Sequence, residues 1–184
     1  MLIRRLDDCP QVPWRNGAGT TRELYVGGDL RITVATERSE AAFSDFSGWS
    51  RTIVPLGEGL SLQVGERPEA AIPAFQPFAF PGSERVRARL AAGAIDAFNI
   101  MTRDGALAHR SLPFPQVPSA EVPLHSVLCF VARGALRLAG AVLEAGTLAI
   151  AEHTVDRGEL ARASPSREAI LLAFQIERPS SNRS

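Results

Sequence analysis

At 184 residues, 45% of them hydrophobic and 22% charged, the chain can bury a core without disulfide or metal staples. That composition excludes a disordered tail and a chain built to sit in lipid. Twenty basic residues balance twenty acidic ones, so no long-range field attracts polyanions, and neither nucleic acid nor a membrane surface is expected as a partner. Every basic residue is Arg, which excludes Schiff-base chemistry through a lysine.

Along the chain, Met1 to Asp8 carries arginines but no apolar core of a signal sequence, and no window approaches the ~18 apolar residues of a membrane span. A cytoplasmic location is expected. Fifteen glycines and thirteen prolines punctuate short apolar runs, and none has a long helical period. The pattern predicts an all-β chain with few or no helices. Leu30 to Thr36 alternates, with Leu30, Ile32 and Val34 on one face. Arg51 to Leu56 follows, then Leu60, Leu62 and Val64 in the same style. Phe75 to Phe80 reads as an edge segment because its prolines deny it a central place in a sheet. Further strands are expected at Ser126 to Ala132, Ala135 to Leu138, Thr147 to Ala151 and Ala169 to Ile176.

Leu56-Gly57-Glu58-Gly59 with the strand after it is echoed by Val131-Ala132-Arg133-Gly134 with its own, each reading as strand, turn, strand. Between them, Pro113-Phe114-Pro115-Gln116-Val117-Pro118 is a stiff, extended connector. The expected division is therefore a lobe over 1–112, the connector over 113–118, a second lobe over 119–178 and a frayed tail over 179–184.

Three clusters could carry chemistry. In Pro13-Trp14-Arg15-Asn16-Gly17-Ala18-Gly19-Thr20-Thr21-Arg22-Glu23, residues that tolerate positive φ could turn successive N–H groups onto an anion beside Arg15 and Arg22. The same segment can be a plain turn, with Trp14 plugging a barrel end and Arg22 paired with Glu23 at the surface. Phe43-Ser44-Asp45-Phe46-Ser47-Gly48-Trp49-Ser50-Arg51 offers aromatic faces, hydroxyls and a guanidinium for a small polar ligand, or a hairpin loop folded onto the core. In Asp96 to Arg103, alternation sets Ala97, Asn99, Met101 and Arg103 on one face. If that face lines a cavity, Asn99 and Arg103 become ligand contacts.

His109, His125 and His153 are too far apart in sequence to be paired ligands, and the His-x-His…Glu…His arrangement of metal-binding cupins is not written here. Cys9 and Cys129 form no Cys-x-x-Cys pair, and Gly-x-Ser-x-Gly is missing. No catalytic residue, metal ligand or cofactor is assigned.

Taken in order, the three clusters resemble the signatures of the HutD/Ves family. The first resembles its Pro-Trp-Lys/Arg-Asn-Gly-Gly-Gly-x-Thr-Arg-Glu opening. Arg31-Ile32 with Ala35, then Phe43-Ser44-x-Phe46-x-Gly48 and Arg51, resembles the second, and Phe98-Asn99-Ile100-Met101-x-Arg103 the third. Ala18 replaces a usual Gly, Ser50 stands where an acid often precedes the Arg, and Ala97 replaces Asp before Phe-Asn. The missing carboxyl groups weaken any acid/base scheme that would use them.

The resemblance implies a cupin-type double-stranded β-helix, duplicated as a bicupin, and an association with histidine utilisation. The expected function is a non-metal cupin that binds a small carboxylated metabolite, such as urocanate or an N-formyl or N-formimino glutamate, in a regulatory or protective role. The expected ligand-binding residues are Trp14, Arg15, Asn16, Thr20, Arg22, Glu23, Phe43, Arg51, Asn99 and Arg103. The alternative is a metal-free isomerase or hydrolase with Glu23 or Asp45 as base. A third reading is an interaction protein whose exposed edge strands form a homodimer or dock a partner.

Overall fold

The structure is a computed structural model, and it describes residues 1–90, 93–112, 127–138, 140–151 and 164–178. The connector over 113–118, His125, Ser126, His153 and the tail over 179–184 lie outside these. The described residues form strands and one short 3-10 turn, Leu6–Asp8. In chain order the strands are β1 (Leu2–Arg5), β2 (Gln11–Pro13), β3 (Gly19–Val26), β4 (Leu30–Glu37), β5 (Ala41–Ala42), β6 (Trp49–Pro55), β7 (Leu60–Val64), β8 (Ala70–Ile72) and β9 (Phe78–Pro81). They continue with β10 (Val86–Leu90), β11 (Ile95–Arg103), β12 (Ala108–Leu112), β13 (Val127–Arg133), β14 (Ala135–Leu138), β15 (Ala141–Glu144), β16 (Thr147–Ile150), β17 (Ser164–Pro165) and β18 (Ile170–Glu177). The all-β expectation holds, and the run after Ser164-Pro165-Ser166 is strand β18 rather than helix.

The chain divides into two compact units, one of Cys9–Ala108 and one of Met1–Asp8 with His109–Ser184. In the first, a six-stranded sheet of order β2-β3-β4-β11-β6-β9 and a four-stranded sheet of order β5-β10-β7-β8 are antiparallel throughout. Ile53, Phe80, Ile95 and Ala97 of the larger sheet pack in one buried cluster with Leu60, Leu62, Val64, Ile72, Val86 and Ala88 of the smaller. The core thus sits between two facing sheets, as in a jelly roll. Phe75 to Phe80 ends in β9, which pairs only with β6 at the sheet edge, the place its prolines permit.

β11 lies between β4 and β6 and is buried on both faces from Ala97 to Thr102. One face carries Phe98, flanked by Val34 and Val54, and Ile100, flanked by Ile32 and Thr52. The other carries Asn99 and Met101. A polar residue at such a position needs a partner, and Asn99 Nδ2 donates to the Ala97 carbonyl at 3.2 Å.

In the second unit β1 pairs with β16, closing a five-stranded sheet of order β1-β16-β13-β18-β12. A three-stranded sheet, β15-β14-β17, stands beside it. Val131, Ala149 and Leu171 of the larger sheet share a buried cluster with Leu136, Leu138 and Leu143 of the smaller. Arg110 donates to the side-chain oxygen of the buried Gln175. His109 stands edge-on to the Phe174 ring at 6.3 Å, and burial pushes its pKa down to about 4.

Candidate functional site

The cavity-facing rows of the six-stranded sheet follow from register alone. One row runs Arg31, Met101, Arg51, Phe80 across β4, β11, β6 and β9, and the next runs Glu23, Thr33, Asn99, Ile53, Phe78 across β3, β4, β11, β6 and β9. Because side chains alternate along each strand, β4 presents Arg31, Thr33, Ala35 and Glu37 to the same side. All four line a cavity of about 700 Å³, as do Thr21, Arg51, Asn99 and Met101. The β2 end and its loop add Val12 to Asn16, and Ala42, Phe43, Ser44 and Phe46 form the facing wall.

That wall is tied down by main-chain bonds. Phe43 N–H donates to the Val86 carbonyl at 2.9 Å, Phe46 N–H to the Gly82 carbonyl at 3.0 Å, and Gly82 N–H to the Trp49 carbonyl at 2.6 Å. Gly82 is required there, since a Cβ would meet the Phe46 carbonyl oxygen inside contact distance. On the other side, Trp14 Nε1 donates to Thr21 Oγ1 at 2.7 Å, and the Asn16 side-chain oxygen accepts the Ala18 N–H at 3.1 Å. Asn16 thereby closes an Asx-type turn, at whose end Gly19 lies against the Trp14 ring.

Arg51 is the buried cation of the cavity, 6% exposed. Its guanidinium carbon lies 5.2, 5.0 and 5.0 Å from the ring centres of Phe43, Phe46 and Phe80, a cation–π enclosure. Nη2 donates to Asn99 Oδ1 at 3.3 Å, while Nε is buried without a hydrogen-bond partner. Burial pulls its pKa down to about 10, opposed by the attraction of Glu37 and reinforced by the repulsion of Arg31. Glu37 is 1% exposed, and its Oε2 also lacks a partner. Burial pushes its carboxyl up to about 7 against the pull of Arg51. Arg31 pairs with Glu23 at 2.9 Å and lies 5.5 Å from the Phe46 ring centre.

Of the residues the sequence nominates, Trp14, Arg15, Asn16, Phe43, Arg51 and Asn99 line this cavity. The other four are not on its lining. Thr20 is on the face of β3 opposite Thr21 and accepts from Gln11 Nε2 at 2.7 Å. Arg22 shares that opposite face. Glu23 is exposed and engaged by Arg31. Arg103 lies at the end of β11, where it bonds Asp29 at 3.0 Å and stacks 4.6 Å from the Trp49 ring centre. Asp45 is exposed and held below the usual carboxylate range by hydrogen bonds from Ser47. Sequence reading missed Glu37, and gave Arg31 only as part of a resemblance; the signal for both was the alternation from Leu30, carried one residue past Thr36.

The charged lining is three guanidinium groups and one carboxyl, Arg15, Arg31, Arg51 and Glu37. Such a set repels a divalent cation and suits an anion. Among the described residues no group of three or more His, Cys, Asp or Glu could hold a metal, and no helix is long and apolar enough to cross a membrane.

Paired antiparallel sheets around a cavity lined by both aromatic and charged side chains define a cupin-type β protein. The chain belongs to the HutD family, whose model matches residues 6–173. HutD from Pseudomonas fluorescens SBW25 superposes with a TM-score of 0.76 at 21% identity, covering 97% of this chain and 98% of that one. A conserved protein of unknown function from Pseudomonas aeruginosa PAO1 gives 0.74 at 27% identity, covering 96% and 98%. A protein encoded in the hutC 3′ region of Pseudomonas putida is 34% identical over 109 residues, 55% of this chain and 57% of its own length. The chain thus spans little more than half of that curated relative, and the family is linked to the histidine-utilisation locus.

Proposed function

We propose that the chain is a metal-free cupin that binds a small carboxylated metabolite, a histidine-degradation intermediate such as urocanate or an N-formyl or N-formimino glutamate. Its role in histidine utilisation is regulatory or protective, exercised in the cytoplasm. One observation carries this reading: the buried Arg51, ringed by phenylalanines, keeps Nε without a partner and has Arg31 and Arg15 on the same cavity lining. A planar fork buried among apolar faces is suited to a carboxylate, and the rings enclose the ligand body.

The enzymatic alternative loses both bases first considered for it, because Glu23 is bound by Arg31 and Asp45 is not on the cavity lining. It keeps Glu37 alone. The two units share a two-sheet construction, and duplication of one cupin-type barrel is the matching proposal for the architecture.

Thermal unfolding of the purified protein against a panel of histidine-pathway acids tests the reading, since a ligand that binds only the folded state raises Tm. A selective rise is expected with at least one acid. Arg31→Gln, or the apolar replacement Arg51→Met, removes a charge-assisted bond and weakens binding by about ten- to a hundredfold. No rise with any acid, or unchanged affinity in both folded variants, overturns it.

A further inference from the structure

We propose that Glu37 is itself a ligand-binding residue and grips the anion in its protonated form, its carboxyl donating a hydrogen bond to the ligand carboxylate while Arg51 supplies the opposing charge. The inference rests on the anion-site reading and adds to it a second contact and a proton. Buried carboxyl oxygens normally collect donors, yet Glu37 Oε2 has none. Arg51 Nε, on the same cavity lining, is likewise unpaired. A ligand carboxylate reaching both would satisfy both.

The surroundings of Glu37 decide which protonation state does this. Its neighbours in register are Gly19 on β3 and Ile95 on β11, which bring no charge. Its own strand brings Arg31, β6 brings Arg51, the loop after β2 brings Arg15, and the facing wall brings Ala42, Phe43, Ser44 and Phe46. Among the described residues no second acid and no histidine lines the cavity, and Glu23, off the lining, is paired with Arg31. Burial already holds the carboxyl up to about 7, and the pull of Arg51 is what keeps it from rising further. An anion that occupies Arg51 shares that pull and sets a second negative charge in a low-dielectric space. Taking up one proton removes the repulsion and leaves an O–H···O⁻ bond, which is short and strong. The balance is simple: carboxylate, ligand anion and one solvent proton give a neutral carboxyl bonded to the ligand, and no covalent bond to carbon changes.

The test is calorimetric titration of the full chain with N-formyl-L-glutamate, and with formate as the minimal carboxylate. It runs from about pH 6 to about pH 8.5 in buffers of differing ionisation heat, a range in which the ligands' own carboxyls do not titrate. The expected result is uptake of close to one proton per site above about pH 7.5, with affinity falling about tenfold per pH unit there. Glu37→Gln, whose amide still donates but cannot titrate, is expected to bind with no uptake and no pH dependence. Wild-type affinity flat across the range, or a Glu37→Gln protein that keeps the wild-type dependence, overturns the role of Glu37 and leaves the anion site standing. Absence of binding by either acid to either protein at every pH overturns the anion site itself, and this inference with it.

Discussion

A buried arginine is normally held by a carboxylate within bonding distance. Arg51 is held instead by one amide oxygen and three rings, with Glu37 attracting it electrostatically. Glu37 answers in kind. Its folded-state pKa of about 7 lies above the ordinary 4.5, so folding favours the protonated form. Its stability contribution is fully present below about pH 4.5 and is lost as pH rises through about 7. Urea unfolding at about pH 5 and about pH 8 should therefore show Glu37→Gln gaining on the wild type by roughly 2–3 kcal/mol at the higher pH. An equal difference at both pH values would contradict the buried, titrating carboxyl. At this scale the sequence was legible for Arg51 and Asn99, whose polar atoms interrupt apolar strands. Glu37 was not, because it stands at the end of β4, where a charge is the ordinary mark of solvent.

Elements decide which of these side chains meet. β4, β11 and β6 pair without a slip, and so Arg31, Met101 and Arg51 fall side by side. On β3 the register shifts between Glu23 and Tyr25, which ends the simple alternation there. Strand existence and facing were readable from period-two patterns in β4, β7 and β11. The path of β3 was less so, because its glycines, threonines and charges are equally the residues of a turn. Gly19 shows the constraint. A Cβ there would come 2.5 Å from the Thr36 carbonyl oxygen and 3.1 Å from the Trp14 ring. Gly19→Ala should open the β3–β4 pair at Glu37, cost about 1–3 kcal/mol, and change Trp14 fluorescence. Gly28→Ala, which meets nothing within 4 Å, should stay within about 0.5 kcal/mol. Equal effects in guanidine melts would show that close approach at Gly19 does not set the fold.

Across the molecule, twenty positive and twenty negative charges cancel, so the proposed attraction for an anion would be local to the cavity rather than broadcast from the surface. The two-unit division was only faintly legible. Repeated strand-turn-strand segments hinted at it, but the pairing of β1 with β16 joins the first residues of the chain to a strand more than a hundred positions on, and no local pattern encodes such a partner. The loop carrying Phe43 and Phe46 forms one wall of the cavity. It is stitched to the sheet by main-chain bonds to Val86 and Gly82. On the proposed ligand-binding reading this wall does not have to close, so association should be a single encounter whose observed rate climbs in proportion to ligand concentration. Stopped-flow Trp fluorescence that reached a plateau rate would reveal a rearrangement instead. On that reading, acids of similar size should enter at similar rates and be told apart by how long each stays.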